Sequence, residues 1–517
     1  MAIIPLVAIL LLTLLSFVLP WRRTSIISSI RNTNFSLIEW PMLGVLPGLL
    51  WNVWTDNIHG AADRTLKDYG GTFPFKGPWF ANMDFIGTSD PLNAHHIFSK
   101  SYAKYRKGED FKAIFEFLGE GIFNVDGEAW KFQRQMLHSI LNNEELQNHM
   151  TTTLKLKMEG TLFPLLDARV GAEVDMQEVA KMFMFDNFCL WVLGFDPGYL
   201  SVDERSETFP YGKAFEEIFE GIIYRHIVPR GVWEFQKRFG IGSEKKISHS
   251  TKVLDEFIYN AITMKKQELQ KEEQRQQHDM LTQWMIASQK GESSDKSLRD
   301  MVFTLIAAGK DTISSTLSWL LWLVATHPDV ERKILEEIER VTAMAWRQES
   351  DKGTSRFLIS KDELNGLVYL HATIYETLRF YPPLPFEHRC ASEADVLPTG
   401  HRVKKGMRML FNIYSMGRME EIWGKDCMEF KPQRWISEEG NIIHVPSQKF
   451  MVFLTGPKTC LGKAMSFMQL KFIVSAILWN YKFDMVEGHI VKPTPSIVLS
   501  MKDGLKMRVS KRCLVSL

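Results

Sequence analysis

The stretch Phe453-Leu454-Thr455-Gly456-Pro457-Lys458-Thr459-Cys460-Leu461-Gly462 constrains this 517-residue chain more than any other, because it sets a cysteine between a glycine turn and the helical run Lys463 to Tyr481. Gly456 lets the backbone turn tightly. The run after Cys460 reads as an amphipathic helix, so the sulfur lies near a helix N-terminus, where unpaired backbone N–H groups and the macrodipole favour an anion. A thiolate there suits a soft or redox-active metal, with Phe453 shielding one side. A lone cysteine also serves as a small buried hydrophobe, so the choice rests on what else the chain carries.

With 45% hydrophobic and 24% charged residues the chain is ordinary globular material, long enough for a large core, and disorder is excluded. Its 62 basic residues are balanced by 61 acidic ones, a formal charge of +1, so nothing points to nucleic acid as a partner. The cysteines at 189, 390, 427, 460 and 513 are scattered and free of any C-x-x-C pair, which argues against a disulfide framework and a zinc cluster. Reduced thiols facing the cytosol are expected.

Ala2 to Leu19 is uncharged and almost wholly apolar, just long enough to span a bilayer, and Pro20-Trp21-Arg22-Arg23 follows. A cleaved signal peptide would want a basic leading region and a small-residue cleavage site. The arginines lie instead after the apolar run, with Arg31 beyond them, so the positive-inside bias leaves the body in the cytosol and the Asn34-Phe35-Ser36 sequon unused. The expected order is a transmembrane anchor over 2–20, a basic and proline-rich hinge over 21–50, and one catalytic domain over 51–517. In the hinge, the prolines and glycines of Trp40 to Gly48 should stop a helix from continuing.

Thr72 to Lys76 and Met83 to Gly87 read as strands, and Asp90-Pro91 starts a helix as N-cap and first residue. From about residue 125 to 380 the periodicity is helical, broken at Asp196-Pro197-Gly198, Val228-Pro229, Gly240 to Gly242 and His327-Pro328. Lys265 to Gln277 reads as a solvated helix end. Past Pro382 short strands return, punctuated by Gly400, Gly406 and an Asp503-Gly504 hairpin turn. The fold class is mainly α with small β-sheets.

Three constellations carry chemistry. The apolar helix from Ser297 to Thr326 holds Ala308-Gly309-Lys310-Asp311-Thr312 at its middle, where a glycine is costly unless something needs the space, such as a ligand approaching the backbone. A Thr there also bonds back to its own helix. Glu376 and Arg379 lie three apart on one helix face, and Arg434 supplies a third partner. Trp130 and Arg134 lie one helical turn apart and both can hold carboxylates. Phe111, Phe115, Phe117 and Phe123 crowd the segment before Trp130.

Phe-x-x-Gly-x-Lys-x-Cys-x-Gly at 453–462, Ala-Gly-x-Asp-Thr at 308–312, Glu-x-x-Arg at 376–379 and the Arg434 segment appear together in one order. Together they resemble the cytochrome P-450 haem-thiolate monooxygenases, with Lys458 where that family usually has Arg. The resemblance implies the cytochrome P-450 fold with an N-terminal transmembrane helix, haem as cofactor and Cys460 as its iron ligand. It assigns Asp311 and Thr312 to oxygen activation, and Glu376, Arg379 and Arg434 to a structural lock on the loop leading into Cys460. Trp130, Arg134 and Lys458 become propionate ligands, joined by Arg389 or its neighbour His388. Phe111, Phe115, Phe123, Ala308, Phe386, Ile497 and Val498 fall where the family lines its substrate pocket.

The resemblance further implies O2, an NADPH-cytochrome reductase and the endoplasmic reticulum membrane, spanned once, as partners, with an apolar small molecule as substrate. Lys131, Lys463 and Lys471 would form a basic face for the reductase. Leu118-Gly119-Glu120-Gly121-Ile122-Phe123-Asn124 and Gly417-Arg418-Met419-Glu420 are similar to the plant clan of fatty-acid and alkane hydroxylases. Hydroxylation of a long-chain fatty acid or alkane is therefore expected, with oxidative phenol coupling in alkaloid synthesis as the alternative. A haem carrier or sensor, or an oxygen-independent hydroperoxide rearrangement, would not need the Asp311-Thr312 pair.

Overall fold

The computed structural model describes residues 40, 43–55, 58–78, 81–201, 209–270, 279–288, 294–350 and 358–512. The anchor over 2–20, most of the hinge and Cys513 lie outside the described residues. Among the described residues no helix is long and apolar enough to cross a membrane.

The fold is mainly helical with small sheets, and it is built around the helix Asp295–Thr326. Ser294 caps it by accepting from Ser297 N at 3.2 Å, and Pro328 begins the next helix immediately after His327. Leu298, Val302, Ile306, Ile313, Leu317, Leu320 and Val324 are buried along its length. Helices Met176–Leu193, Pro210–Ile227 and Gly242–Gln270 pack around this part of the core, and each ends or begins near a break the sequence predicts. Left-handed glycines at 194 and 240 supply two of those stops.

One sheet has strand order β1-β2-β8-β5-β3, with β1 Thr72–Phe75, β2 Phe85–Thr88, β3 Tyr105–Arg106, β5 Phe386–Ala391 and β8 Arg408–Asn412. Only the β2–β8 pair in it is parallel. A second sheet joins β4 Glu173–Asp175, β10 Lys506–Lys511 and β9 Tyr481–Met485, and β6 Asp395–Val396 pairs with β7 Arg402–Val403. After β2, the Asp90 carboxylate caps the helix begun by Pro91, accepting from Leu92 N at 2.8 Å and Asn93 N at 3.0 Å.

Four local expectations are corrected. Leu46–Trp54 is a helix, because Pro47 falls in its first turn, where no N–H is needed. The helix Lys463–Asn480 is buried on nearly every side rather than amphipathic, since it runs through the core. Asp503-Gly504 is not a hairpin tip: Gly504, at φ +72°, lets the chain pass close against the Asp175 carboxylate, while β9 and β10 are joined by a longer excursion. Lys265 is buried and paired with Asp279 at 3.2 Å, so the helix end there is only partly solvated.

Candidate active site

A turn at Gly456 shapes the cysteine loop. At Gly456, φ +66°, a Cβ would run into the carbonyl oxygen of Phe98, so only glycine seats the loop this closely on the segment His96–Lys100. Cys460 N donates to Phe453 O at 2.8 Å, closing the loop on itself. The cysteine is exposed, but into a cavity of about 560 Å³ that it lines. Burial pushes its thiol up, while the backbone N–H groups of Gly462 and Lys463 and the Arg134 guanidinium act in the opposite direction and favour the thiolate. Arg134 Nη2 also donates to Thr459 O at 2.8 Å.

Beside the cysteine, four cations, Lys107, Arg134, Arg389 and Lys458, line the cavity. The carboxylates among them are Glu387, paired with Arg389 and with Lys107 at 3.4 Å, and Asp126, at 3.8 Å from Lys458. Lys458 Nζ stands 3.6 Å over the Trp130 ring, and Arg134 lies 5.5 Å from it. Burial, reinforced by Arg389, pulls Lys458 down to about 7 and Lys107 down to about 8. Burial opposes ionisation of Glu387, but Arg389 and Lys107 more than offset it and hold this carboxyl low.

The alternation of β5 separates two neighbours that the sequence leaves undecided. Glu387 and Arg389 share a face with Phe411 and Met409 of β8, and the Arg389 guanidinium lies 4.8 Å over Phe98, behind the cysteine loop. Phe386 and His388 occupy the opposite face with Leu410 and Arg408, where Phe111 meets His388 edge-on at 5.5 Å. Sequence reasoning missed Lys107, Glu387 and His226, which the fold brings here. The basic run Lys104-Tyr105-Arg106-Lys107 was the one available hint for Lys107.

On the central helix, Ala308, Gly309 and Thr312 line the cavity. Thr312 Oγ1 donates to Ala308 O at 2.7 Å. Asp311 turns away from it to pair with Lys310 at 2.5 Å, and burial raises its carboxyl while Lys310 opposes that rise. The space at Gly309 is taken by the Phe188 ring, which a Cβ would overlap, so close helix packing rather than a ligand explains this glycine. Gly309→Ala is expected to lower the unfolding free energy by about 1–3 kcal/mol, read from a denaturant midpoint, through overpacking against Phe188.

The predicted wall residues meet at the cavity: Phe111 stacks on Phe115 at 4.2 Å, and Phe123, Phe386, Ile497 and Val498 face the same space. Phe123 is also 42% exposed, which puts it at the rim. The loop carrying Ile497 and Val498 is fastened by Leu499 O, which accepts from Ser315 Oγ and Trp319 Nε1, each at 2.7 Å.

Glu376 and Arg379 are fully buried and joined by two bonds of 2.8 Å. The Glu376 carboxylate also accepts from Arg434 Nε at 3.0 Å, Trp435 Nε1 at 2.8 Å and Lys431 N at 2.9 Å. Arg379 donates onward to the carbonyls of Gly417, Cys427 and Glu429, so one pair ties four segments together. Of the predicted basic face, Lys131 is exposed beside Glu128 and Lys463 is half-buried over Phe453. Lys471 drops out: it is buried, and its Nζ donates to Leu364 O at 2.9 Å.

The chain matches the family model for cytochrome P450 over residues 37–508. It is 38% identical to noroxomaritidine synthase of Narcissus aff. pseudonarcissus MK-2014 over 92% of this chain and 91% of that one. It is likewise 38% identical to alkane hydroxylase MAH1 of Arabidopsis thaliana, covering 92% and 93% of the two chains. Cytochrome P450 86B1 of Arabidopsis thaliana is 37% identical, over 92% and 85%. The chain belongs to the cytochrome P450 family, whose members are cysteine-ligated haem-thiolate monooxygenases that use O2 and a redox partner and bind apolar substrates.

The residues present fit haem. A cysteine receiving backbone N–H groups opens on the cavity, and Lys107, Arg134, Arg389 and Lys458 crowd there against the carboxylates Glu387 and Asp126, a donor set that suits an anionic group.

Proposed function

We propose that this monooxygenase hydroxylates a long-chain aliphatic substrate, a fatty acid or alkane being the simplest members of that class. The observation that carries this is the cavity wall beyond Cys460, built from Phe111, Phe115, Leu118, Ile222, Ile497 and Val498. Such a wall selects by shape, at roughly 25 cal/mol per Å² of apolar area, and tolerates neighbouring chain lengths. The stacked phenyl rings also favour a second reading, oxidative phenol coupling, in which they hold an aromatic substrate.

Cys460 would hold the haem iron, and Trp130, Arg134, Arg389, Lys458 and Lys107 the propionates; the strand face of Arg389 favours it over His388. Lys458 keeps the charge of an arginine but loses its bidentate fork. Bound there, haem supplies the activation of dioxygen. The chain's own part is to manage protons: Thr312 lines the cavity with its Oγ1 bonded to Ala308 O, and Asp311 lies one residue behind with Oδ2 unpartnered among the described residues. Electrons would come from an NADPH-cytochrome reductase docking near Lys131 and Lys463 at the endoplasmic reticulum membrane.

Membranes carrying the chain, supplied with reductase, NADPH and a panel of alkanes, fatty acids and phenolic amines, test the reading. Alkyl substrates should give hydroxylated products, and turnover of the phenolic amines alone would replace it with coupling. Thr312→Ala should keep haem and NADPH oxidation yet lower product per NADPH on the order of tenfold or more, with peroxide making up the difference. Full coupling in that variant would remove Thr312 from the proton path.

A further inference from the structure

One face of the sheet β1-β2-β8-β5 walls the cavity, with Phe75, Phe85, Leu410 and Phe386 alternating onto it. Arg408 stands in this wall, in register with Phe85, whose ring stacks on Phe75 at 4.3 Å. It lies on the opposite sheet face from Glu387 and Arg389, so it is not part of the cation cluster beside the cysteine. Its Nη2 donates to Asn82 O at 3.1 Å; Nε and Nη1 have no partner among the described residues and are not closed off by packing. The carboxylates that act on it, Asp110 and Asp84, are engaged elsewhere, Asp110 with Arg230 at 3.3 Å and Asp84 with Gly77 N at 3.0 Å. Burial works against the Arg408 charge and these carboxylates offset only part of that, yet a guanidinium keeps its proton. The result is a half-buried cation in a largely apolar wall, with free donors and no ion pair among the described residues.

The other end of the wall lies against the central helix. Leu499 N donates to Pro383 O at 2.8 Å, and Leu499 O accepts from Ser315, three residues past Thr312. Phe386 pairs there with Asn412, and Arg408 sits at the opposite end of β8, about 13 Å away at the rise of a strand. We infer that Arg408 is a carboxylate-recognition residue at the far end of the cavity, and that the substrate is an aliphatic chain bearing an ionised acid group. The inference rests on the aliphatic reading above and narrows it. An alkane gives the guanidinium nothing, whereas a carboxylate supplies both the missing counter-charge and acceptors for the unused N–H groups. The apolar remainder of the molecule then lies along the wall toward the central helix.

The test compares a long-chain fatty acid with its methyl ester, which keeps both oxygens and removes the charge. Dissociation constants are read from the ligand-induced spectral shift of the ferric holoenzyme, and haem content from the reduced carbon monoxide spectrum. The wild-type chain should bind the acid about tenfold more tightly than the ester. In Arg408→Gln the two ligands should bind within about twofold, with haem content unchanged. Arg408→Lys should keep a smaller preference for the acid, since the charge survives and the planar set of donors does not. Equal binding in the wild-type chain, or a full preference in Arg408→Gln, overturns the inference. Should Arg408→Gln fail to hold haem, Arg408→Lys decides: a reduced preference upholds the role, and an unreduced one, or loss of haem there too, overturns it. If no alkyl ligand shifts the wild-type spectrum, the aliphatic reading falls, and a phenylalkanoic acid and its methyl ester carry the same comparison. An acid preference abolished by Arg408→Gln then upholds the carboxylate site, and equal binding overturns it.

Discussion

Cys460→Ala is expected to yield a folded chain without a thiolate-type Soret band in the reduced carbon monoxide spectrum, and without monooxygenase turnover. The loss should be complete rather than graded, because no other cysteine among the described residues lines the cavity. Cys189 is buried in the core, and burial raises its thiol well above the usual range. Cys427 is buried and contributes its carbonyl, not its sulfur, to Arg379. Cys390 is half-buried on β5, with its sulfur near Gly406 O. Alanine at any of these three should leave the spectrum unchanged, and so should Cys513→Ala. An unaltered spectrum in Cys460→Ala would refute the assignment.

The second large effect is expected from Glu376→Ala. It removes the acceptor of five hydrogen bonds and leaves the fully buried Arg379 without its counter-charge, a change that costs about 3–5 kcal/mol. Against a total stability of roughly 5–15 kcal/mol that is a large share. The damage should not stay local, since Arg379 and Arg434 hold the carbonyls of Gly417, Cys427, Glu429 and Asp426, in the strand-to-loop segment upstream of Cys460. Denaturant unfolding should show the lower stability, and the purified variant should retain less haem. Asp426→Ala, at the exposed end of the same network, should be far milder. Should Glu376→Ala unfold within about 1 kcal/mol of the wild-type chain, the pair is not the keystone of this segment.

Local chemistry made much of this legible from residues alone. Prolines and glycines marked the helix ends at Leu193, Ile227, Phe239 and Thr326, because a missing N–H or a positive φ acts wherever it occurs. Asp90 and Pro91 could be placed as cap and first residue for the same reason. The rest depends on partners distant in the chain. Nothing near Gly309 announces the Phe188 ring, and a lysine such as 471 looks solvated until a carbonyl more than a hundred residues away receives it. Glu387 was visible as a letter beside Arg389, yet its pairing with Lys107 exists only once β5 is laid against the segment before Phe111. His226 and His388 show the limit best: neither carries a motif, and the contact between their rings emerges from the fold alone.

The fastening at Leu499 bears on how such a chain diversifies. Ser315 and Trp319 grip a main-chain oxygen, so the attachment does not depend on which side chains stand on either side of it. Ile497 and Val498 are thereby mounted like interchangeable tips on a fixed handle. Mutation there can reshape the cavity while the loop keeps its station on the central helix, and selection can trade one substrate for another without first rebuilding the frame.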